Sequence, residues 1–207
     1  MKTSKALFLD RDGTIIKEIP GEDSSSYGYI TKPEQVELIT GAAEGIAIAR
    51  ELGFKIIIVT NQSAIARGWL SLEKFHEINS TAFGLLRKEN TNALIDDLLY
   101  SPYHKDGIVE GLNIEHHTRK PGTGMVLEAE QKYNLNLSES YMIGDAYTDM
   151  LCGQNAGMKN ILVMTGYGKV AYQKCLDEKI KINFIADNLL DAAKYLKKIS
   201  TDEQRND

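Results

Sequence analysis

Short apolar runs alternate with amphipathic stretches along nearly the whole chain, and the runs at 5–10, 55–60 and 141–144 pass directly into polar or acidic residues. This alternation constrains the fold more than any other feature. Parallel strands need a long crossover connection, so strands separated by helical segments predict an α/β architecture: a parallel sheet with helices on both faces. Residues 5–10 read as the first buried strand, ending in charge. Residues 41–52 carry Ala42, Ile46, Ala49 and Leu52 near helical spacing, with Gly53 suited to the C-terminal cap. The β-branched run 55–60 is a second strand. Ser71 caps a helix with Leu72, Phe75, Ile78, Ala82, Phe83 and Leu86 on one face. A strand at 97–100, a helix at 123–133, a strand at Tyr141–Gly144 and a short helix at 149–157 follow. Strands at 161–164 and Phe184–Ala186 and a helix at 189–198 complete the pattern, with 1–199 as a single domain and 200–207 as a flexible tail.

Composition excludes several classes. At 43% hydrophobic and 26% charged residues the chain is ordinary globular material rather than a disordered segment. Twenty-four basic against 29 acidic residues give a net charge of −5, which offers nothing to nucleic acid or an anionic membrane. The longest aliphatic run, 56–59, cannot span a bilayer, and Asp10 and Arg11 interrupt the N-terminal apolar stretch before a signal peptide could form. The expectation is a cytoplasmic monomer. Cys152 and Cys175 do not make a disulfide framework.

In parallel sheets ligands bind beyond the carboxyl ends of the strands. The residues to read first are therefore Asp10, Thr60, 100–104 and Asp145. The first strand ends in Asp10-Arg11-Asp12-Gly13-Thr14, two aspartates across a glycine turn; alone, such a string is equally a solvated turn. The second ends in Thr60-Asn61-Gln62-Ser63, whose hydroxyls and amides suit phosphate oxygens or a helix cap. Arg119-Lys120-Pro121 sets two cations before a helix, an anion site or a solvated basic pair. The fourth strand ends in Gly144-Asp145-Ala146-Tyr147-Thr148-Asp149, where two acids four apart suit Mg²⁺ or a helix cap. Singly, the plain structural explanations hold. Jointly they fail, because the segments bring acids, a hydroxyl, a lysine and a helix N-terminus to one sheet edge. That set suits phosphoryl transfer, in which catalysis comes mainly from positioning and charge stabilisation.

Together these segments resemble the haloacid dehalogenase superfamily of phosphatases, in the family's order over residues 5–166. The Asp-Arg-Asp-Gly-Thr string, the Thr-Asn-Gln-Ser-Ala-Ile-Ala-Arg-Gly string at 60–68 and Arg119-Lys120-Pro121 resemble a narrower group, which contains the D-glycero-D-manno-heptose 1,7-bisphosphate phosphatases and the histidinol-phosphate phosphatases. Gly28-Tyr29-Ile30 resembles the heptose group's substrate loop. The resemblance implies a Rossmann-like haloacid dehalogenase fold. The gaps 14–41 and 100–119 are too short for a large cap domain. It also implies that Asp10 is the nucleophile and Asp12 the general acid and base. Mg²⁺ would be held by Asp10, the Asp12 carbonyl and Asp145, with Asp149 supporting. Thr60 and Lys120 would grip the phosphoryl group. Gly28, Tyr29, Asn61, Gln62, Ser63, Arg67 and Arg119 are the substrate-binding candidates.

There are departures from the family. Relatives carry a structural zinc loop built from a Cys-x-His and a Cys-x-Cys pair before Arg-Lys-Pro. Here the corresponding residues are Ser101, Tyr103, His116 and Thr118, so structural zinc is expected to be absent and the loop histidines solvated. The stretch 19–27 is longer than the usual substrate loop, and Ala146 stands where heptose enzymes often have lysine. Trp69 reads as a packing residue beside the mouth, Cys152 as core and Cys175 as unreactive, while residues 167–172 suggest no chemistry. The expected activity is a Mg²⁺-dependent phosphatase acting on a small phosphorylated sugar, with the 7-phosphate of D-glycero-D-manno-heptose 1,7-bisphosphate first. Histidinol phosphate, a nucleic-acid 3′-phosphate as in polynucleotide kinase, and a non-catalytic phosphometabolite-binding role are the rivals.

Overall fold

The computed structural model describes residues 3–21 and 27–206. In chain order the elements are β1 (Ala6–Leu9), β2 (Ile19–Pro20), β3 (Tyr27–Gly28), α1 (Ala42–Glu51), β4 (Lys55–Asn61), α2 (Ser63–Ala66), α3 (Leu72–Glu89) and β5 (Asp97–Ser101). They continue with α4 (Gly124–Tyr133), β6 (Tyr141–Gly144), α5 (Tyr147–Asn155), β7 (Lys159–Val163), α6 (Gly168–Asp177), β8 (Phe184–Ala186) and α7 (Leu189–Asn206). Six strands form one sheet in the order β5-β4-β1-β6-β7-β8. Every pairing in it is parallel, with Leu9 of β1 beside Ile58 on one side and Ile143 on the other.

The central strand is apolar on both faces because both are covered. Leu7 and Leu9 pack with residues of α1, α3 and α7, and Ala6 and Phe8 with residues of α4, α5 and α6. Phe8 is wholly buried, which for a side chain of its size stabilises the fold by about 2 kcal/mol. Ser71 caps α3 as expected, its hydroxyl accepting from the Lys74 N–H at 3.1 Å. No helix among the described residues is long and apolar enough to cross a membrane.

The two long connections at the carboxyl edge hold no inserted domain among the described residues. One carries the β2–β3 hairpin, in which Ile19 pairs with Gly28, and a short 3-10 turn at Pro33–Gln35. The expected long loop at 19–27 is described only at its ends, since 22–26 lie outside the described residues. The other connection, 102–123, is made of turns.

Three boundaries and one element differ most from the sequence reading. α7 runs to Asn206 where a tail was expected from 200, because Thr201 to Arg205 include neither glycine nor proline to stop a helix. β7 starts at Lys159 because buried Asn160 finds acceptors for its amide nitrogen within the fold, donating to Met150 O and Lys181 O. α5 begins at Tyr147, where the Asp149 side chain caps the helix by accepting from the Ala146 N–H. α6 was not foreseen. Its buried residues, Gly168, Ala171 and Cys175, keep helical spacing but are small, so they do not stand out as an apolar stripe.

Candidate active site

β1 ends where the sequence turns polar, and the Asp10 N–H still reaches the Ile143 carbonyl of β6 at 2.9 Å. The chain then reverses through Gly13, whose φ of +78° favours glycine. A Cβ there would also lie 2.3 Å from Asp145 Oδ2, so the bare glycine lets the carboxylate that follows β6 approach the loop after β1. Arg11 turns inward and is 1% exposed. Its guanidinium binds both oxygens of Asp12 at 2.9 to 3.3 Å, Asn79 Oδ1 at 3.3 Å and Gln62 Oε1 at 3.1 Å. Gln62 Nε2 donates to Asp12 at 2.9 Å, so the Asp12 carboxylate is fixed from two sides.

Asp10, Asp145 and Asp149 each offer a carboxylate oxygen, all within 4.8 Å of one another. They are the one such group of three or more acidic, histidine or cysteine side chains among the described residues. Lys120 is buried against them, its ammonium 2.9 Å from Asp10 Oδ1, 2.6 Å from Asp149 Oδ1 and 2.8 Å from the Val59 carbonyl. Asp145 accepts from the Tyr167 N–H at 2.8 Å. Burial and the charge of Asp149 push the Asp10 carboxyl up to about 7, against the pull of Lys120. Burial and Asp10 likewise hold Asp145 well above the ordinary carboxylate range. Burial alone would lower Lys120, but Asp10 and Asp149 outweigh it and keep the ammonium charged. Glu18, facing the same cavity, is pushed up to about 8 by burial and by Asp12. With protein charges alone these acids are under-compensated. A hard divalent cation such as Mg²⁺ takes this kind of oxygen donor set, so the residues fit it.

The cavity above this centre has a volume of about 230 Å³. Asp10, Asp12, Thr60, Lys120 and Asp145 line it, as do Gly28, Tyr29, Asn61 and Gln62. Thr60 Oγ1 accepts from Gln62 Nε2 at 2.9 Å, which leaves its proton for an oxygen in the cavity. Two substrate-binding candidates instead have their side chains tied to the protein. Asn61 exchanges hydrogen bonds with the Lys120 backbone, and Gln62 joins Thr60, Asp12 and Arg11. Ser63, Arg67 and Arg119 stand outside the lining. Ser63 Oγ lies 3.2 Å from the Tyr29 hydroxyl, and Arg67 lies 3.5 Å from His104 Nε2. Arg119 lines a second cavity with His104 and His116, which Lys120 shares with the first.

Arg11, Glu18 and Tyr167 escaped the sequence reading. Arg11 signals itself only as a cation between two acids, and Tyr167 precedes the unforeseen α6. Trp69 is not a packing residue: it is 57% exposed, its ring edge-on to Tyr29 at 5.2 Å and beneath the Arg67 guanidinium at 5.4 Å. Both cysteines are buried, and burial pushes the Cys152 thiol up to about 12 and raises that of Cys175, so neither is a nucleophile.

The four positions matched to the family's zinc ligands do not fit that metal. Tetrahedral zinc takes thiolates and imidazoles. Here the set contains one imidazole, stacked on Tyr103 at 3.9 Å with its Nδ1 2.8 Å from Thr118 Oγ1.

A parallel sheet carrying this acid and lysine centre at its carboxyl edge defines a HAD-type phosphoric monoester hydrolase. A family model described as HAD-hydrolase-like matches residues 117–192. Over 199 residues the chain is 37% identical to D-glycero-D-manno-heptose-1,7-bisphosphate 7-phosphatase of Chlorobaculum tepidum, covering 93% of this chain and 94% of that one. It is 32% identical over 194 residues to D-glycero-beta-D-manno-heptose-1,7-bisphosphate 7-phosphatase of Pasteurella multocida, covering 93% and 97%. The crystal structure of D,D-heptose 1,7-bisphosphate phosphatase from B. bronchiseptica, complexed with magnesium and phosphate, shares the fold. Its TM-score is 0.78 over 94% of this chain and 98% of that chain, at 22% identity. The chain belongs to the HAD family of phosphatases, in the group of the heptose-bisphosphate 7-phosphatases.

Proposed function

We propose that the enzyme removes the 7-phosphate of D-glycero-D-manno-heptose 1,7-bisphosphate through a covalent phosphate on Asp10. The observation that carries the mechanism is the buried Lys120 bridging Asp10 and Asp149 beneath the cavity. Asp10, the Asp12 carbonyl and Asp145 would hold Mg²⁺, with Asp149 behind. Bound there, the cation neutralises charge between an anionic nucleophile and an anionic phosphate.

Asp10 Oδ attacks phosphorus, and the bond to the sugar oxygen breaks. Asp12, held by Arg11 and Gln62, gives its proton to that leaving oxygen. Water then replaces the sugar. Asp12 takes a proton from it, hydroxide adds to phosphorus, and phosphate leaves with Asp10 restored. Lys120 and the Thr60 hydroxyl supply positive charge and a donor to the phosphoryl oxygens as charge builds on them. The named activities of the full-length relatives support the heptose substrate.

The test compares kcat/KM in Mg²⁺ for both anomers of the heptose bisphosphate, histidinol phosphate and a 3′-phosphorylated oligonucleotide. The expected result is preference for one heptose anomer. Preference for histidinol phosphate or the oligonucleotide overturns the substrate. Phosphate binding without turnover of any ester overturns the catalytic reading.

A further inference from the structure

The chain leaves the sheet at Ser101 and passes beside that strand end again at Thr118, and side chains close the neck between them. Ser101 is fully buried and lies beside Asn61 in the β4–β5 register. Thr118 Oγ1 lies 3.2 Å from Ser101 Oγ and 2.8 Å from His116 Nδ1, its one proton serving one of the two, and His116 Nδ1 accepts from the Thr118 N–H at 3.3 Å. The His116 ring stacks on Tyr103, 3.9 Å between centroids and 23° between planes. The stacked pair at one end of this chain of contacts leads to Arg119. Its backbone N–H donates to His116 O at 3.0 Å and its guanidinium donates to Tyr103 O at 3.2 Å.

We infer that Ser101, Thr118, His116 and Tyr103 form a metal-free clasp that positions Arg119 for the part of the substrate beyond the reacting phosphate. These are the four positions at which the resembled family carries its zinc ligands. The donor set rejects that metal, and the same four side chains instead join one another across the neck. A hydroxyl pair seated on a buried serine is shielded from water and strengthened by it. A face-stacked tyrosine and histidine add a second tie on the outer side of the neck. The inference rests on the reading of Arg119 as a substrate contact, and the exchange and metal readouts below do not depend on the identity of that substrate.

The test uses the full chain with Thr118→Val, the conservative Thr118→Ser, and Tyr103→Leu, which removes the stack and keeps the carbonyl that Arg119 uses. Hydrogen exchange of residues 102–117 should quicken in Thr118→Val and Tyr103→Leu and stay unchanged in Thr118→Ser. On heptose 1,7-bisphosphate, Thr118→Val should lower kcat/KM about tenfold, mainly through KM, while turnover of p-nitrophenyl phosphate stays unchanged. Purified protein should carry no stoichiometric zinc. One zinc per chain overturns the inference, as does unchanged exchange in both Thr118→Val and Tyr103→Leu. Equal losses on both esters make the neck structural rather than positioning and overturn it too. Absence of bisphosphate turnover in the unaltered enzyme overturns the substrate, and the exchange result then decides the clasp.

Discussion

Asn61 and Lys120 are joined by two hydrogen bonds running in opposite directions: Asn61 Nδ2 donates to the Lys120 carbonyl at 3.0 Å, and the Lys120 N–H donates to Asn61 Oδ1 at 2.9 Å. The side chain at the end of β4 thus fixes the backbone that carries the buried lysine, 59 residues further along the chain. Asn61→Ala should leave the Lys120 ammonium present but poorly aimed. A misplacement of about 1 Å can cost about a hundredfold, so kcat should fall about ten- to a hundredfold with a smaller change in KM. Steady-state kinetics check this, and an unchanged kcat would make the pair a simple loop tie.

Asp10→Asn should reduce turnover about 10³-fold or more, because an amide cannot form the covalent phosphate. Circular dichroism and the melting temperature should show an intact fold, since the substitution removes one of several mutually repelling acids. In acid-quenched samples supplied with labelled phosphate ester, label should stay on the unaltered chain and be absent from Asp10→Asn.

Arg11→Met should lower both stability and activity. The guanidinium is 2% exposed and Asp12 27%, so the pair lies between buried and surface cases. Removing one partner of a buried pair costs about 3–5 kcal/mol, and the partial exposure of Asp12 places this change near about 3 kcal/mol. Urea unfolding measures the stability. Single-turnover kinetics should show slower dephosphorylation, because Asp12 loses the contact that orients it as a base.

Stability of the metal-free protein should fall with rising pH on the alkaline side. Glu18 has an ordinary value of 4.5 and is raised to about 8 by burial first and neighbouring carboxylates second. Folded protein therefore keeps this proton after unfolded protein has released it. The associated stability is complete below 4.5 and is lost as pH rises through about 8. Asp10, raised from 3.8 to about 7, acts with the same sign. Glu18→Gln should raise the melting temperature by a few degrees at pH 8.5 and leave it unchanged near pH 4. Equal effects at both pH values would exclude ionisation as the cause.

Trp69 is the chain's one tryptophan, exposed beside Tyr29, which lines the cavity. Binding of the heptose bisphosphate to Asp10→Asn with Mg²⁺ should shift or quench its emission. Inorganic phosphate, too small to reach it, should leave the emission unchanged.

The alternation of runs and the acids at strand ends made the sheet, its two covered faces and the reacting centre legible. Asp10, Asp12, Thr60 and Asp145 meet at one cavity because each sits at or just past a strand end, and Lys120 joins them from the turns of 102–123. What the sequence hid depends on distance along the chain. The grip of the Asn61 side chain on the Lys120 backbone, and of Gln62 on Arg11 and Asp12, joins residues far apart in the sequence. The polar tie at Ser101 and Thr118 spans 17 residues of turns with no periodicity to announce it. Residues 168–177 are helical on so thin an apolar stripe that only packing against β7 reveals them.

The Lys120 ammonium donates to Val59 O and stands in ion-pair contact with Asp10 and Asp149. An arriving phosphoryl group should draw the ammonium away from one of these carboxylates. The released carboxylate then has unspent negative charge to offer a divalent cation. Anion and cation should therefore each raise the affinity for the other, by the same factor in both directions. The centre, short of positive charge at rest, should take up the two halves of its cargo together.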